Sequence, residues 1–444
     1  MPSHGLINAA TGSASAASAS GGFRRTTLTN GLTVVSEYMP SVRSVALGVW
    51  IRRSSVHEQR DQMGVSHFLE HLVFKGTERR SAREIALSLE SLGGSLDAFT
   101  SREHTSFQAR VLDEHLPQAA DVLCDLIFRP ALRESDLALE RNVVLEEIAM
   151  VEDTPDDLVF ELHNEALWGK HPLGYAILGT RETIGAMGVE AVRELHGSAY
   201  RPQNMVVSAA GRVEHDQLLE ILREAGWESF PGGEPQGPIV PDVTLEPPSR
   251  RHVDREGHQT HIVLGSRSVP YGDPRRYPIS LVSLMLGGGM SSRLFQRVRE
   301  ELGLAYSVYS FQSFHHNSGL HGIYAGTSAE SSGRALEEIF AECSRMAADG
   351  FPSEEIEAGK SQLKGQLTLS LESPASRMFR VASAALYGEP FLPLDEVLAR
   401  IDAITPLQVA QACSELFPPE RQTVVTLGRS GDHSDVPGPP FPTT

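Results

Sequence analysis

Apolar residues fall along this chain in blocks separated by Gly, Pro and Asn, and the blocks predict interleaved strands and helices. Residues 26–35 read as a hairpin on the Asn30-Gly31 turn. A strand follows over 44–51. Next comes a mostly apolar helix within 64–76, whose flanks are Phe68, Leu69, Leu72, Val73 and Phe74. A helix over 82–92 stops at Gly93-Gly94. Residues 95–101 and 104–111 read as strands, and 113–128, 134–152 and 156–168 as helices. A strand at 205–209 and a helix at 214–225 close this first half.

A Pro- and Gly-rich stretch, 231–250, reads as a linker. Beyond it the first half returns. Pro155 and Pro374 stand 219 residues apart, and at that offset Ala166-Leu167-Trp168-Gly169 faces Ala385-Leu386-Tyr387-Gly388. Asp136-Leu137 faces Glu355-Ile356, and Cys124 faces Cys343. The register implies a duplicated unit of about 200 residues. The predicted organisation is an arm (1–22), a first half (23–230), the linker, a second half (251–430) and a tail (431–444). The predicted class is α+β, each half a sheet with helices packed on it.

Composition narrows the partners. A formal charge of −18 argues against nucleic acid or an anionic membrane and suits a cationic substrate. No apolar run approaches the length of a membrane span. The three cysteines are far apart and odd in number, which fits thiols in a reducing, cytoplasmic setting. No Lys or Arg precedes Arg24, so residues 1–22 lack the marks of a secretory or mitochondrial leader and read as a disordered arm.

Candidate chemistry sits at His67-Phe68-Leu69-Glu70-His71. Residues four apart share a helical face, so His67 and His71 can turn their imidazoles to one metal ion. Glu70 can stand beside that ion as a base for water. The spacing H-x-x-E-H is the inverted zinc-protease motif; without a metal it is an amphipathic helix with two surface histidines. Two His need a third protein ligand. The helix through 140–148 offers Glu140 and Glu147, seven apart on one face, while Glu146 points elsewhere; each could equally be a solvated surface carboxylate. The second half has no such motif. At the repeat offset, Glu147 becomes Gln366 and Glu140 becomes Gly359.

Taken together, residues 64–77 and Glu147, which follows His71 by 76 residues, resemble the pitrilysin family of zinc metallopeptidases, in its shorter branch of processing peptidase β subunits and bacterial relatives. The resemblance spans about Arg24 to Gly428. It implies that His67, His71 and Glu147 bind Zn2+, that Glu70 is the base, and that Glu140 supports the site. It implies that Arg299 and Tyr306 reach the substrate from the second half; taken alone they would be a surface charge and a core aromatic. It also makes 95–100, with Asp97, Ala98 and Phe99, a substrate-pairing edge strand, although many relatives have Asn where this chain has Asp97. The implied activity is that of an endopeptidase acting on peptides or unfolded segments in a cleft between the halves. The implied assembly is a homodimer or a heterodimer with a related subunit. Related core proteins of a respiratory complex keep open the alternative of a non-catalytic structural subunit. Asp157 and Glu161, four apart on one helix, are either an acidic surface or the receptor for a substrate arginine.

Overall fold

The computed structural model describes residues 22–233, 240–243, 247–429 and 431. Apart from Gly22 and Gly431, the expected arm and tail lie outside the described residues, as do 234–239 and 244–246 of the expected linker.

The first half runs β1 (Phe23–Thr27), β2 (Thr33–Tyr38), β3 (Ser44–Ile51), α1 (Val65–Val73), α2 (Ala82–Glu90), β4 (Ser95–Thr100) and β5 (Thr105–Leu112). It continues through α3 (Leu116–Phe128), α4 (Glu134–Asp153), α5 (Pro155–Trp168), α6 (Arg181–Ala186), α7 (Val189–Ala199), β6 (Met205–Gly211) and α8 (His215–Glu224). The second half begins with β7 (Arg250–Asp254), β8 (Thr260–Ser268), α9 (Arg276–Gly287), β9 (Ala305–Phe314) and β10 (Gly319–Thr327). Then come α10 (Ser332–Asp349), α11 (Ser353–Ser370), α12 (Pro374–Tyr387), α13 (Leu394–Asp402), α14 (Pro406–Leu416) and β11 (Thr423–Gly428).

The strand orders are β1-β2-β6-β3-β5-β4 and β7-β11-β8-β10-β9. Leaving out β1, the two sheets match strand for strand. β2–β6 and β7–β11 are the parallel pairs, and the other matched pairs are antiparallel. The class is α+β with two homologous halves. The 219-residue offset holds at both ends of α5 and α12 and shortens to 217 at α7 and α14.

Strand side chains alternate between two buried faces. In β3, Val45, Leu47, Val49 and Ile51 join the large core under the helices of the first half. Ala46 and Trp50 point the other way, with Val35, Val206 and Ala210. That second face needs a cover, and the cover comes from the other half. Met378, Val381, Ala382 and Ala385 of α12 lie on it. Reciprocally, α5 brings Val159 onto Val263, Tyr324, Val425 and Leu427 of the second sheet. Burying Met378 and Val381 alone contributes roughly 3–6 kcal/mol.

An arginine at the equivalent position pins the exchange on each side. The Arg52 guanidinium donates to the carbonyls of Leu386 and Ala385, at 3.0 and 2.9 Å. Arg267 donates to the Leu167 carbonyl at 3.1 Å. Each arginine thus satisfies carbonyls left open at the end of the visiting helix. Gly48 and Gly265 allow the close approach. A Cβ at Gly48 would meet the Trp50 ring at 2.6 Å and the Met378 sulfur at 3.1 Å, and one at Gly265 would meet the His163 ring at 3.0 Å.

One local expectation changes. The β1–β2 connection is the five-residue loop 28–32, not a two-residue Asn-Gly turn. Asn30 has a different task, since its amide donates to the carbonyls of Trp227 and Phe230. Tyr306, which the resemblance directs to the substrate and which taken alone would be a core aromatic, is 75% exposed. The cysteines Cys124, Cys343 and Cys413 are free and buried. Among the described residues, no helix is long and apolar enough to cross a membrane.

The exchange generates a prediction. Residues 1–230 expressed alone should not give a stable monomer, because the face carrying Val35, Trp50 and Val206 would be bare. Co-expression with 231–444 should yield a soluble complex of the two pieces, read by size-exclusion chromatography and circular dichroism. A monomeric first half that melts like the intact chain would show that the α12 cover is dispensable.

Candidate metal centre

The helix α1 is fixed at its start before it presents any functional group. Its N-cap, Gly64, has φ of 92° and no side chain to cap with. The buried carboxylate of Glu58 substitutes, accepting the backbone N–H groups of Gly64 and Ser66, both at 2.8 Å. Burial pushes Glu58 above the ordinary carboxylate range, while these bonds to Ser66 and Gly64 pull it back. A Cβ on Gly64 would sit 2.7 Å from the Gly179 Cα and from the Leu178 carbonyl, so the loop before α6 packs directly on the helix start.

From this anchor α1 projects His67, Glu70 and His71, and α4 brings Glu140 and Glu147. Ligand atoms of His67, His71 and Glu147 lie within 4.8 Å of one another and could hold a metal ion. One Glu147 oxygen is 3.6 Å from His67 Nε2 and 3.5 Å from His71 Nε2. Ligands about 2.1 Å from zinc in tetrahedral order stand roughly 3.4 Å apart, so the three groups fit that ion. Glu146 is exposed and outside the group.

The protonation states agree. Burial, and then His71, push His67 down to about 3, so its imidazole is neutral and its lone pair is free. His71 Nδ1 lies 3.2 Å from a Glu140 oxygen. With the proton on Nδ1, the bond to Glu140 turns the Nε2 lone pair toward the centre. Lys75 Nζ holds the other Glu140 oxygen at 2.6 Å. His67 Nδ1 is buried and has no hydrogen-bond partner among the described residues.

Glu70 stands beside these groups without joining them. Its Oε2 accepts the Thr100 hydroxyl at 2.5 Å. Burial raises its pKa above the ordinary range, with Thr100 and His71 opposing and Glu147 assisting. Thr100 ends β4, the edge strand of the first sheet.

A cavity of about 790 Å³ opens over this cluster. His67, Glu70, Ala98, Phe99 and Thr100 form one wall, and Asp157, Phe160 and Glu161 of α5 stand across it. Asp97 is exposed and does not line it. Glu161 keeps one oxygen 3.7 Å from the Arg102 guanidinium, and its Oε2 is buried without a partner among the described residues. Burial raises Glu161, and Arg102 opposes. Arg299 and Tyr306 do not line this cavity. Arg299 sits in the π-helical turn Phe295–Glu301, its guanidinium 5.1 Å from the Tyr306 ring centre. Tyr306 borders a neighbouring cavity that shares Asp157 and Phe160 with the first.

Sequence reasoning missed Glu58, Lys75, Thr100 and Arg102. Thr100 carried a signal, because strand alternation puts it on the face of Ala98. Lys75, one helical turn after His71, carried another.

Residues 33–181 match the model of the insulinase family, peptidase family M16, and residues 186–363 match that of the M16 inactive domain. The chain is 42% identical over 395 residues to the uncharacterized zinc protease YmxG of Bacillus subtilis, covering 89% of this chain and 95% of that one. An uncharacterized zinc protease of Streptomyces coelicolor is 39% identical over 402 residues, covering 89% and 88%. In fold, the crystal structure of a protease from Helicobacter pylori superposes with a TM-score of 0.86 at 21% identity, over 92% of this chain and 100% of that one. This chain therefore belongs to peptidase family M16, the insulinase or pitrilysin family, whose relatives bear the name zinc protease.

Proposed function

We propose that this chain is a zinc-dependent endopeptidase that hydrolyses peptide bonds in peptides or unfolded segments, with Glu70 as general base. The observation supporting it is the convergence of His67, His71 and Glu147 on one point, with Glu70 buried beside them yet outside the ligand group. A purely structural subunit has no use for that arrangement.

Zinc, which those three residues would hold, would supply Lewis-acid chemistry by polarising a carbonyl and acidifying water. The rest falls to the chain. The outer edge of β4 carries no strand among the described residues, so an extended substrate can add to it through main-chain hydrogen bonds. Ala98 and Thr100 turn that edge toward α1. Glu70, held by the Thr100 hydroxyl, takes the proton of the attacking water and delivers it to the leaving amine. Tyr306 and Arg299 hold the substrate main chain or the developing charge from the second half. Asp157 and Glu161 receive an arginine side chain, for which Glu161 Oε2 is an unused acceptor.

Glu70→Gln should keep zinc and lose cleavage by roughly 100- to 10,000-fold, the range of a general base. Wild-type turnover from a zinc-loaded Glu70→Gln protein would discard the mechanism. Glu147→Gln should lower zinc occupancy, measured by mass spectrometry of the metal, while Glu146→Gln should not. Glu140→Gln should weaken zinc affinity by roughly 10–100-fold. Equal zinc in the Glu147 and Glu146 variants would remove Glu147 from the site. A peptide-library digest should show arginine enriched on the amino-terminal side of the cut. Asp157→Asn combined with Glu161→Gln should reduce that enrichment by roughly 1–3 kcal/mol of preference, with zinc retained. An unchanged digest would return both residues to the acidic surface.

A further inference from the structure

The turn between β4 and β5, residues 101–104, joins the edge strand beside the metal ligands to the second half. The Ser101 backbone N–H and the Ser101 hydroxyl both donate to the His104 carbonyl, at 2.9 and 2.7 Å, which tightens the turn. Its own half grips it from behind. The Val56 N–H donates to the Arg102 carbonyl at 2.8 Å, and the Ser54 hydroxyl to the Ser101 carbonyl at 2.5 Å. Arg102 in turn donates to the Tyr175 carbonyl at 2.6 Å. Immediately before the turn stands Thr100, whose hydroxyl holds Glu70. Its cross-strand partner is Thr105, with the two hydroxyl oxygens 3.4 Å apart. Thr100 and the turn thus form one short, stiff unit, and a shift of the turn moves the hydroxyl that orients Glu70.

At the tip of the turn, Glu103 reaches across to the second half. Its side chain is 9% exposed, and three groups of the second half converge on its carboxylate. Oε1 accepts the His316 backbone N–H at 2.8 Å. Oε2 accepts the Tyr387 hydroxyl at 2.9 Å and lies 3.7 Å from His315 Nδ1. His315 and His316 belong to the β9–β10 turn, the counterpart of the β4–β5 turn in the second sheet. Tyr387 ends α12, the helix that covers the first sheet, and its ring stacks on Tyr271 with centres 4.0 Å apart. Burial pushes the Glu103 carboxyl up, but His315, the His316 N–H and Tyr387 outweigh burial and hold it below its ordinary value. The carboxylate is therefore charged at neutral pH, and the bonds it accepts are of the strong, charge-assisted kind.

We infer that Glu103 is a positioning residue: it seats the β4–β5 turn against the second half and so sets where Thr100 holds Glu70. Glu103 belongs neither to the metal-ligand group nor to the lining of the cavity over it, so it acts only through the turn. A contact that merely joined the halves could sit anywhere along their boundary. This one stands three residues after Thr100, on the one turn that is continuous with the partner of the base. Glu70 is accordingly aligned only when the β9–β10 turn and the end of α12 are both in place, which ties proton transfer to an assembled cleft. This inference rests on the peptidase reading for the role of Glu70, and one arm of its test needs no cleavage, so the two can fail separately.

The first arm is a double-mutant cycle on cleavage of a quenched peptide by full-length chains of equal zinc content. Glu103→Ala should lower kcat about tenfold with little change in KM, as a small misplacement of a catalytic group does. Tyr387→Phe, which keeps the ring and removes one donor, should lower kcat about threefold. Glu103→Gln, which keeps an oxygen for the His316 N–H, should fall between Glu103→Ala and wild type. In a Thr100→Val background, Glu103→Ala and Tyr387→Phe should each cost under about twofold, because their effect runs through the missing hydroxyl. Losses of the same size with and without that hydroxyl overturn the proposal. The second arm is hydrogen exchange without peptide. Glu103→Ala and Tyr387→Phe should speed exchange in 95–105 and leave β3 and β6 as in wild type. Unchanged exchange in 95–105, or faster exchange in all three strands alike, overturns the proposal. If Glu103→Ala does not fold, Tyr387→Phe carries both arms. A response confined to 95–105 in a chain that cuts no peptide would sink the peptidase reading and leave the seating of the turn by Glu103 standing.

Discussion

Each sheet in this molecule has two apolar faces, and one half supplies helices for a single face of its own sheet. That shortage governs the architecture. The missing cover is lent by the other half, α12 to the first sheet and α5 to the second. Arg52 and Arg267 close the two loans with bonds to the last carbonyls of the visiting helices. Because α5 crosses over, it stands opposite α1 and becomes the far wall of the cavity over the metal ligands. The exchange that stabilises the sheets therefore also builds the cleft.

Within that cleft the polar groups support one another. Glu58 and the Gly64–Gly179 contact fix where α1 begins. Glu140 and Lys75 then fix the His71 ring, and Thr100 fixes Glu70. Burying so many ionisable groups costs free energy unless each has a partner or a ligand. Among the described residues, Glu161 Oε2 is one of the buried atoms left without a partner, and its residue lines the cavity over the metal ligands.

The sequence carried what is local. Helical spacing put His67 and His71 on one face and Glu140 and Glu147 on another, and the observed clustering follows from those two periods. The strands and the repeat were legible for the same reason. The exchange of α5 and α12 was not, because an apolar stripe says that a helix must be covered but not by which sheet. Glu58 and Lys75 escaped notice as single polar residues whose partners are brought by the fold. Tyr306 was legible only through the family resemblance, since its exposure comes from a bulge that no periodicity announces.

The contact between Arg52 and α12 spans 333 residues for its Ala385 bond. It therefore sets an order of events during synthesis. When β6 has left the ribosome, the first sheet can pair, yet its Trp50 face must wait for residues up to Tyr387. At roughly 5–20 residues per second, that delay is on the order of 10–40 s. For this interval the nascent chain carries an apolar sheet face with no cover, and escape from aggregation depends on how fast translation continues or on a chaperone that holds the face.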